Sequence, residues 1–444
     1  MKKLVYTTLV FLAAIASSCD VLNQEPENLI STEDAIVDRQ SANAALTGLY
    51  DLMQDGDYYG GRYIMATEML SGNAEAAAFQ QFWQELASGR VPVSNFHAED
   101  YYIAGYAVVN AANAIIEQVP EVAELSESEK NQILGSAYFI RALSFFDLLR
   151  QFGYFFDTGS PYGIGLPLEV ADGPSETARS TVAQSYTQIE SDLENAIALL
   201  PQSNTKIFAS RGAAQALLAR VYLYKEDFGQ AETLASQVIS SSNYALNENY
   251  NDIYQAAGTT ESVFELNFIT LEDPNAWASE MYIAPPEVAV TEELYDFVLS
   301  QGDRGVLFDQ LNLNFRCIKY GTNRDQDGGN TIILRLSEMY LIRAEAAGRA
   351  NNPSDALTDI NTVRTRAGLE PLTAGDLLDQ EDLTNVLLNE RRGEFAFEGH
   401  YWFDLIRYGL MESELGLEEF RRVLPIPQRE LNITDGTLVQ NPGY

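Results

Sequence analysis

AAQALLARVYLYKEDFGQAETLASQVI, from Ala213 to Ile239, reads as two short helices joined by a turn. Ala214, Leu217, Leu218 and Val221 recur at i, i+3, i+4 and i+7, the period of a helix with one apolar face. Small residues at Ala213, Ala216 and Ala219 in the first helix, and at Ala231 and Ala235 in the second, let neighbouring helices approach closely. That is the pattern of a tetratricopeptide-type repeat. The first helix should end at Tyr224, with Phe228 and Gly229 in the turn. Such a unit cannot bury its apolar face alone, so others must stack on it.

Working outward, Leu334 to Gly368 repeats the plan: Ala344 and Ala347 precede a turn at Asn351 to Pro353, and Ala356 opens the second helix. Glu129 to Phe152 and Ser180 to Pro201 carry weaker versions, while Leu46, Leu49, Tyr50 and Met53 mark a further helix. Boundary signals agree. Ser126 with Glu129 and Thr181 with Gln184 form capping boxes, Gly153 and Gly368 stand past helix ends, and Pro353 opens a helix. The expected fold is all-α, an α-α superhelix. Two stretches break the pattern: Gln54 to Asp100 and Ser242 to Asn330 are rich in Gly, Asn and aromatic residues without a sustained period. Long irregular segments on a rigid scaffold are where binding sites tend to lie.

The N-terminus reads as a leader. Lys2 and Lys3 precede an apolar run from Leu4 to Ile15, too short to span a bilayer, and Ala16-Ser17-Ser18-Cys19 is a small-residue cleavage box ending in cysteine. Cys19 is therefore the expected lipidation site, with residues 1–18 removed, 19–31 a polar tether and 32–444 one folded domain of two halves, 32–241 and 242–444. Cys317 is the other cysteine, so no intrachain disulfide is available once Cys19 is acylated. The chain carries 64 acidic against 28 basic residues, a formal charge of −36. Such a surface repels nucleic acid and anionic lipid. It suits either saline surroundings or an extracellular protein that tolerates acidity.

Several strings taken together go beyond periodicity. FIRALSFFDLLRQFG (Phe139 to Gly153), the repeat at Ala213 to Ile239, LRLSEMYLIRAEA (Leu334 to Ala346), NERRGEFAFEGHYWFDLIRYG (Asn389 to Gly409), PIPQREL (Pro425 to Leu431) and the terminal QNPGY resemble, in order, the SusD/RagB family. The resemblance implies a tetratricopeptide-like SusD fold with long irregular ligand-facing loops, in a surface lipoprotein of the outer membrane of Bacteroidota-like bacteria. It implies non-covalent capture of a nutrient, usually an oligosaccharide, and delivery to a partner SusC-like TonB-dependent transporter, with no cofactor. Peptide or another organic nutrient is the alternative ligand. A protein scaffold or a glycosidase is a weaker reading.

The aromatic residues of the irregular regions are the expected ligand contacts, because flat sugar faces pack on rings while amides and carboxylates reach hydroxyls. Tyr58, Tyr59 and Tyr63 precede Glu68 and Asn73, a pair resembling the acidic-then-Asn stretch that borders the family's pocket. Phe79, Phe82 and Trp83 follow in a polar run, and Trp277 with Tyr282, beside Asn275 and Glu280, forms a second cluster. Trp402 belongs to the core. Glu390, Glu394 and Glu398 recur every four residues along one helical face, where arginines offer ion-pair partners, so they read as structural. The histidines, His97 and His400, lack a nucleophile in any recognisable setting, and the chain has no G-x-S-x-G, H-E-x-x-H or C-x-x-C. Asn323, Asp325 and Asp327 match the opening of a calcium loop, but the closing position is Leu334, so a solvated acidic turn is the better reading.

Overall fold

The computed structural model describes residues 35–171, 177–268, 277, 280–283, 285–321, 329–434 and 436–444. Cys19, the leader, the tether, Asn275 and the calcium-like stretch at Asn323, Asp325 and Asp327 lie outside the described residues.

Helix α1 (Arg39–Met53) starts on Asp38, whose side chain accepts from the Ser41 backbone. It is followed by α2 (Arg62–Leu70), strand β1 (Ala74–Ala76), α3 (Gln81–Ala87) and α4 (Phe96–Gln118). Next come α5 (Glu127–Phe152) and α6 (Val182–Leu199). The capping boxes Ser126/Glu129 and Thr181/Gln184 open these two helices as their sequence requires, satisfying N–H groups that have no partner within the helix. The repeat itself forms α7 (Arg211–Tyr224) and α8 (Phe228–Ile239). Phe228 and Gly229 lie inside the first turn of α8, not in the connection. The connection ends at Asp227, which caps α8, after Glu226 has turned the chain at φ 60°.

Strands β2 (Ser262–Leu266) and β3 (Val288–Val290), helix α9 (Glu292–Leu299), and strands β4 (Phe308–Leu311), β5 (Asn314–Cys317) and β6 (Thr331–Arg335) follow. The chain then returns to helices: α10 (Leu336–Arg349), α11 (Pro353–Arg366), α12 (Gln380–Glu394), α13 (Tyr401–Arg407), α14 (Met411–Leu415) and α15 (Gln428–Ile433). Among the described residues, no helix is long and apolar enough to cross a membrane.

Helices α4, α5, α6, α7, α8, α10 and α11 pack in a continuous series, the stacked superhelix expected of the repeats. Ala213, Ala216, Ala219, Ala231, Ala235, Ala344 and Ala356 are fully enclosed, so the close approach that alanine permits is used. A second, smaller core forms where Leu341 and Ala347 of α10 meet Ile360 and Val363 of α11 and Leu383 and Leu387 of α12.

The regions read as irregular carry regular structure. Gln54 to Asp100 holds α2, α3 and β1, and the stretch from Ser242 holds short strands and α9. Each element is three to nine residues long, too short for a period to stand out against its flanks. Antiparallel strands in the order β1-β3-β5-β4 join the two regions in one small sheet, pairing Ala74 with Val290 and Val290 with Phe315. A second ladder pairs β2 with β6, placing Arg335 at the entrance to α10.

Candidate ligand-binding face

The two regions are joined by buried charge as well as by strands. Arg62, on α2, donates from Nε to Glu280 at 2.7 Å and from Nη1 to Asp57 at 2.8 Å. Trp83, on α3, donates from Nε1 to Glu280 at 3.1 Å and to Glu287 at 3.3 Å. Its ring lies 4.1 Å from that of His97. Burial raises the Glu280 carboxyl above its ordinary range, against the pull of Arg62. The loop after β1 is fastened to the same place, since the Ala77 N–H donates to the Glu287 carbonyl at 2.8 Å and Gln80 Nε2 to the Glu287 carboxylate at 2.8 Å.

This geometry moves most of the expected contact residues inside. Trp83 and Trp277 are both 0% exposed. Trp277 stacks on Tyr320 at 4.4 Å and 11°, and Tyr282 is buried with its hydroxyl on the Cys317 carbonyl at 2.9 Å. The hydroxyls of Tyr58 and Tyr59 both reach Asp147 Oδ2, at 2.8 and 2.7 Å, and Tyr63 stands 3.4 Å from Oδ1. Arg150 pairs with the same carboxylate. In this conformation these six aromatics cannot meet a ligand from solvent; they brace the surface from beneath. Glu68 and Asn73 are buried too. Glu68 accepts from Asn73 Nδ2 at 2.8 Å and from the Gly399 N–H at 3.1 Å, and Asn73 Oδ1 accepts from Arg392 at 2.8 and 3.0 Å. Both are polar yet enclosed, because a buried polar group is expensive only when it lacks a partner, and each of these has one.

Two of the predicted residues keep access to solvent. Phe79 is 93% exposed, on the loop held by Glu287, and Phe82 is half-buried one turn further on. Phe96, which the sequence reading did not single out, is 57% exposed with its ring 6.2 Å from that of Phe82. Asn95 fixes this arrangement: it caps α4 through the Ala98 N–H at 3.1 Å and donates to the Phe82 carbonyl at 3.1 Å and to Glu85 at 2.8 Å. The result is an aromatic surface on a rigid base, with Gln80, Gln81 and Glu85 on the same stretch to supply amide and carboxylate groups. The other irregular region contributes a recess of about 230 Å³ lined by Met281, Ile283, Pro285, Pro286, Leu311 and Leu313, most of them aliphatic.

The carboxylate series is occupied by cations. Arg304 bridges Glu390 and Glu394, Arg364 pairs with Glu390, Arg366 with Glu394 and Glu261, Arg335 with Glu261, Glu394 and Glu398, and Lys319 with Glu398. These arginines hold the Glu394 and Glu398 carboxyls below their ordinary range despite burial. The structural reading therefore stands, with two corrections. Helix α12 ends at Glu394, and Phe397 turns the chain at φ 61°, so Glu398 does not share the helical face. The arginines next to these carboxylates in the chain do not serve them: Arg391 pairs with Asp404 and Arg392 with Glu293, as Arg343 does with Asp359, while Arg335 reaches the network from β6. Trp402 is in the core, as assigned.

Glu68 carries a pH prediction. Burial raises its carboxyl to about 7, well above the ordinary carboxylate range. A folded-state value above the unfolded one means that the folded protein binds the proton more tightly, so this contribution is present at low pH and is lost as pH rises through 7. A shift of this size corresponds to about 3 kcal/mol in all. The difference in unfolding free energy between the wild type and Glu68→Gln should therefore move against the wild type by about 2 kcal/mol between about pH 5 and about pH 8. Urea titrations of both proteins at the two pH values measure it. A difference that stays constant would mean that Glu68 is ionised throughout.

Comparison with known proteins covers both halves of the chain. Residues 20–223 match the family model described as starch-binding associating with outer membrane, and residues 313–421 match that of the SusD family. The chain is similar to SusD-like protein P2 of Formosa agariphila, at 25% identity over the whole of both chains. A SusD superfamily protein of Bacteroides thetaiotaomicron superposes with a TM-score of 0.81 at 26% identity, covering 91% of this chain and all of the other. A laminarin-binding SusD-like protein shares the fold at a TM-score of 0.77 and 23% identity, over 92% of this chain and all of the other.

Proposed function

The chain belongs to the SusD family, and on that premise we propose that it captures an oligosaccharide at the outer membrane and delivers it, chemically unchanged, to a SusC-like TonB-dependent transporter. Acylation of Cys19 would hold it at the cell surface through the tether. The ligand rests on the face carrying Phe79, Phe82 and Phe96. The observation that carries this reading is the exposure of Phe79, an aromatic ring turned to solvent from a loop fixed at both ends. An exposed ring costs a soluble protein solubility without adding to its core, and it offers what a sugar face packs against. A fixed platform also loses little freedom on binding. The starch-binding description of the matched family model and the laminarin-binding relative agree with a glycan ligand.

A glycan-array screen of the soluble protein from Asp20 onward tests the ligand class. Binding to one class of glycan is expected. Absence of binding to any glycan by folded protein would overturn the sugar reading and favour the peptide alternative, which a peptide-library screen then checks.

A further inference from the structure

A cavity of about 400 Å³, lined by none of Phe79, Phe82 and Phe96, lies between α4, the stretch from Gly165 to Ala171 and the C-terminal helix α15. Pockets for small organic ligands span about 300–1,000 Å³ and are mostly apolar with a few placed polar groups. Tyr102, Ile103, Tyr106, Pro167, Ile433 and Leu438 supply the apolar wall. The two tyrosine rings stand 4.7 Å apart, tilted by 48°.

The wall is held in place by side chains committed to it. Asn110 donates to the Ala171 carbonyl at 3.1 Å and accepts from the Ala171 N–H at 2.9 Å. Tyr106 donates to the Gly165 carbonyl at 3.1 Å, and Asn113 to the carbonyls of Pro167 and Glu169 at 3.0 and 3.1 Å. Among the described residues this part of the wall is thus fixed before any ligand arrives, which lowers the cost of binding. The lining hydroxyl of Thr434 donates to the Glu430 carbonyl. Glu430 itself offers a carboxylate whose side chain is 18% exposed, with Arg429 at 3.6 Å. Burial raises its carboxyl above the ordinary range, so a hydrogen-bond donor from a ligand would be welcome there.

We propose that this cavity is a second binding site, taking a compact ring-shaped organic molecule with an apolar body and a hydroxyl directed at Glu430. Its mostly apolar wall disfavours a fully hydroxylated sugar, whose hydroxyls would find too few partners. The site shares no residue with the Phe79 face and does not depend on the oligosaccharide reading.

p-Cresol is a suitable probe, titrated into the soluble protein from Asp20 onward and followed by saturation-transfer NMR. Saturable binding in the millimolar range is expected, weakened about tenfold or more by Ile433→Trp, which adds bulk to the lining, and by a smaller factor in Glu430→Gln. Phe79→Ala should leave it unchanged. Non-saturating binding, or binding that Ile433→Trp leaves intact, would overturn the site. Should Ile433→Trp fail to fold, Glu430→Gln decides: undiminished affinity would contradict the assigned anchor. Binding of D-glucose in preference to p-cresol would overturn the ligand class.

Discussion

Replacing Arg335 by Ala should lower the unfolding free energy by about 3–5 kcal/mol, the range seen when one partner of a buried ion pair is removed. Arg335 stands where β6 enters α10 and is 2% exposed. Its guanidinium donates to Glu261 at 3.0 Å, to Glu394 Oε1 and its carbonyl at 2.6 Å each, and to Glu398 at 2.7 and 3.1 Å. Those carboxylates come from the loop before β2, the end of α12 and the turn after it, so one side chain ties together three parts of the chain. Without it, Lys319 still faces Glu398, Arg304 and Arg366 still face Glu394 and Arg366 still faces Glu261, but the Glu394 carbonyl is left to Tyr250 and Lys319, and three buried anions share fewer cations. Arg335→Lys should recover only part of the loss, because an ammonium cannot serve acceptors in several directions with a planar fork. Urea unfolding reads the effect as a lower midpoint at unchanged slope. A loss below about 1 kcal/mol would mean that the network stabilises no more than a surface ion pair.

Trp83→Ala is expected to cost about 3–5 kcal/mol, as large-to-small changes of buried aromatics do. The indole fills space against His97 and Phe82, and its N–H serves two carboxylates, the buried Glu280 and the half-buried Glu287. Its removal leaves a cavity and takes a donor from both acids. The clamp between α3 and the segment before β3 should loosen, and the loop bearing Phe79 loosens with it. Glycan affinity and thermal stability should therefore fall together, because Trp83 acts as a support and not as a contact. A variant that keeps its unfolding midpoint while losing the glycan would return Trp83 to the binding surface.

The helical frame was legible because its signals are local. Caps lie three residues apart, as at Ser126 and Glu129, and alanines recur within a single helix, as from Ala213 to Ala219. The burial of the aromatics was not legible, since it depends on partners far along the chain. Trp83 sits among Gln80, Gln81, Gln84 and Glu85, and the average polarity of that run pointed outward. Yet α3 is an amphipathic helix of seven residues whose single inner face holds Trp83 and Leu86. The partners that draw the indole inward, Glu280 and Glu287, lie 197 and 204 residues away. The same holds for Tyr58 and Tyr59, whose acceptor Asp147 is about 90 residues distant on α5. Phe96 was missed for the opposite reason. It opens a 23-residue helix rich in apolar residues, where an aromatic side chain reads as core. Its exposure follows from its place on the first turn.

The most direct test of the account is the affinity of Phe79→Ala for whichever glycan the wild type binds, measured by isothermal titration beside the unfolding midpoint. Phe79 makes little contact with the fold, so stability should stay within about 0.5 kcal/mol of the wild type. Affinity should drop about tenfold or more, the scale of losing one aromatic platform. An unchanged affinity would contradict the placement of the ligand on this face.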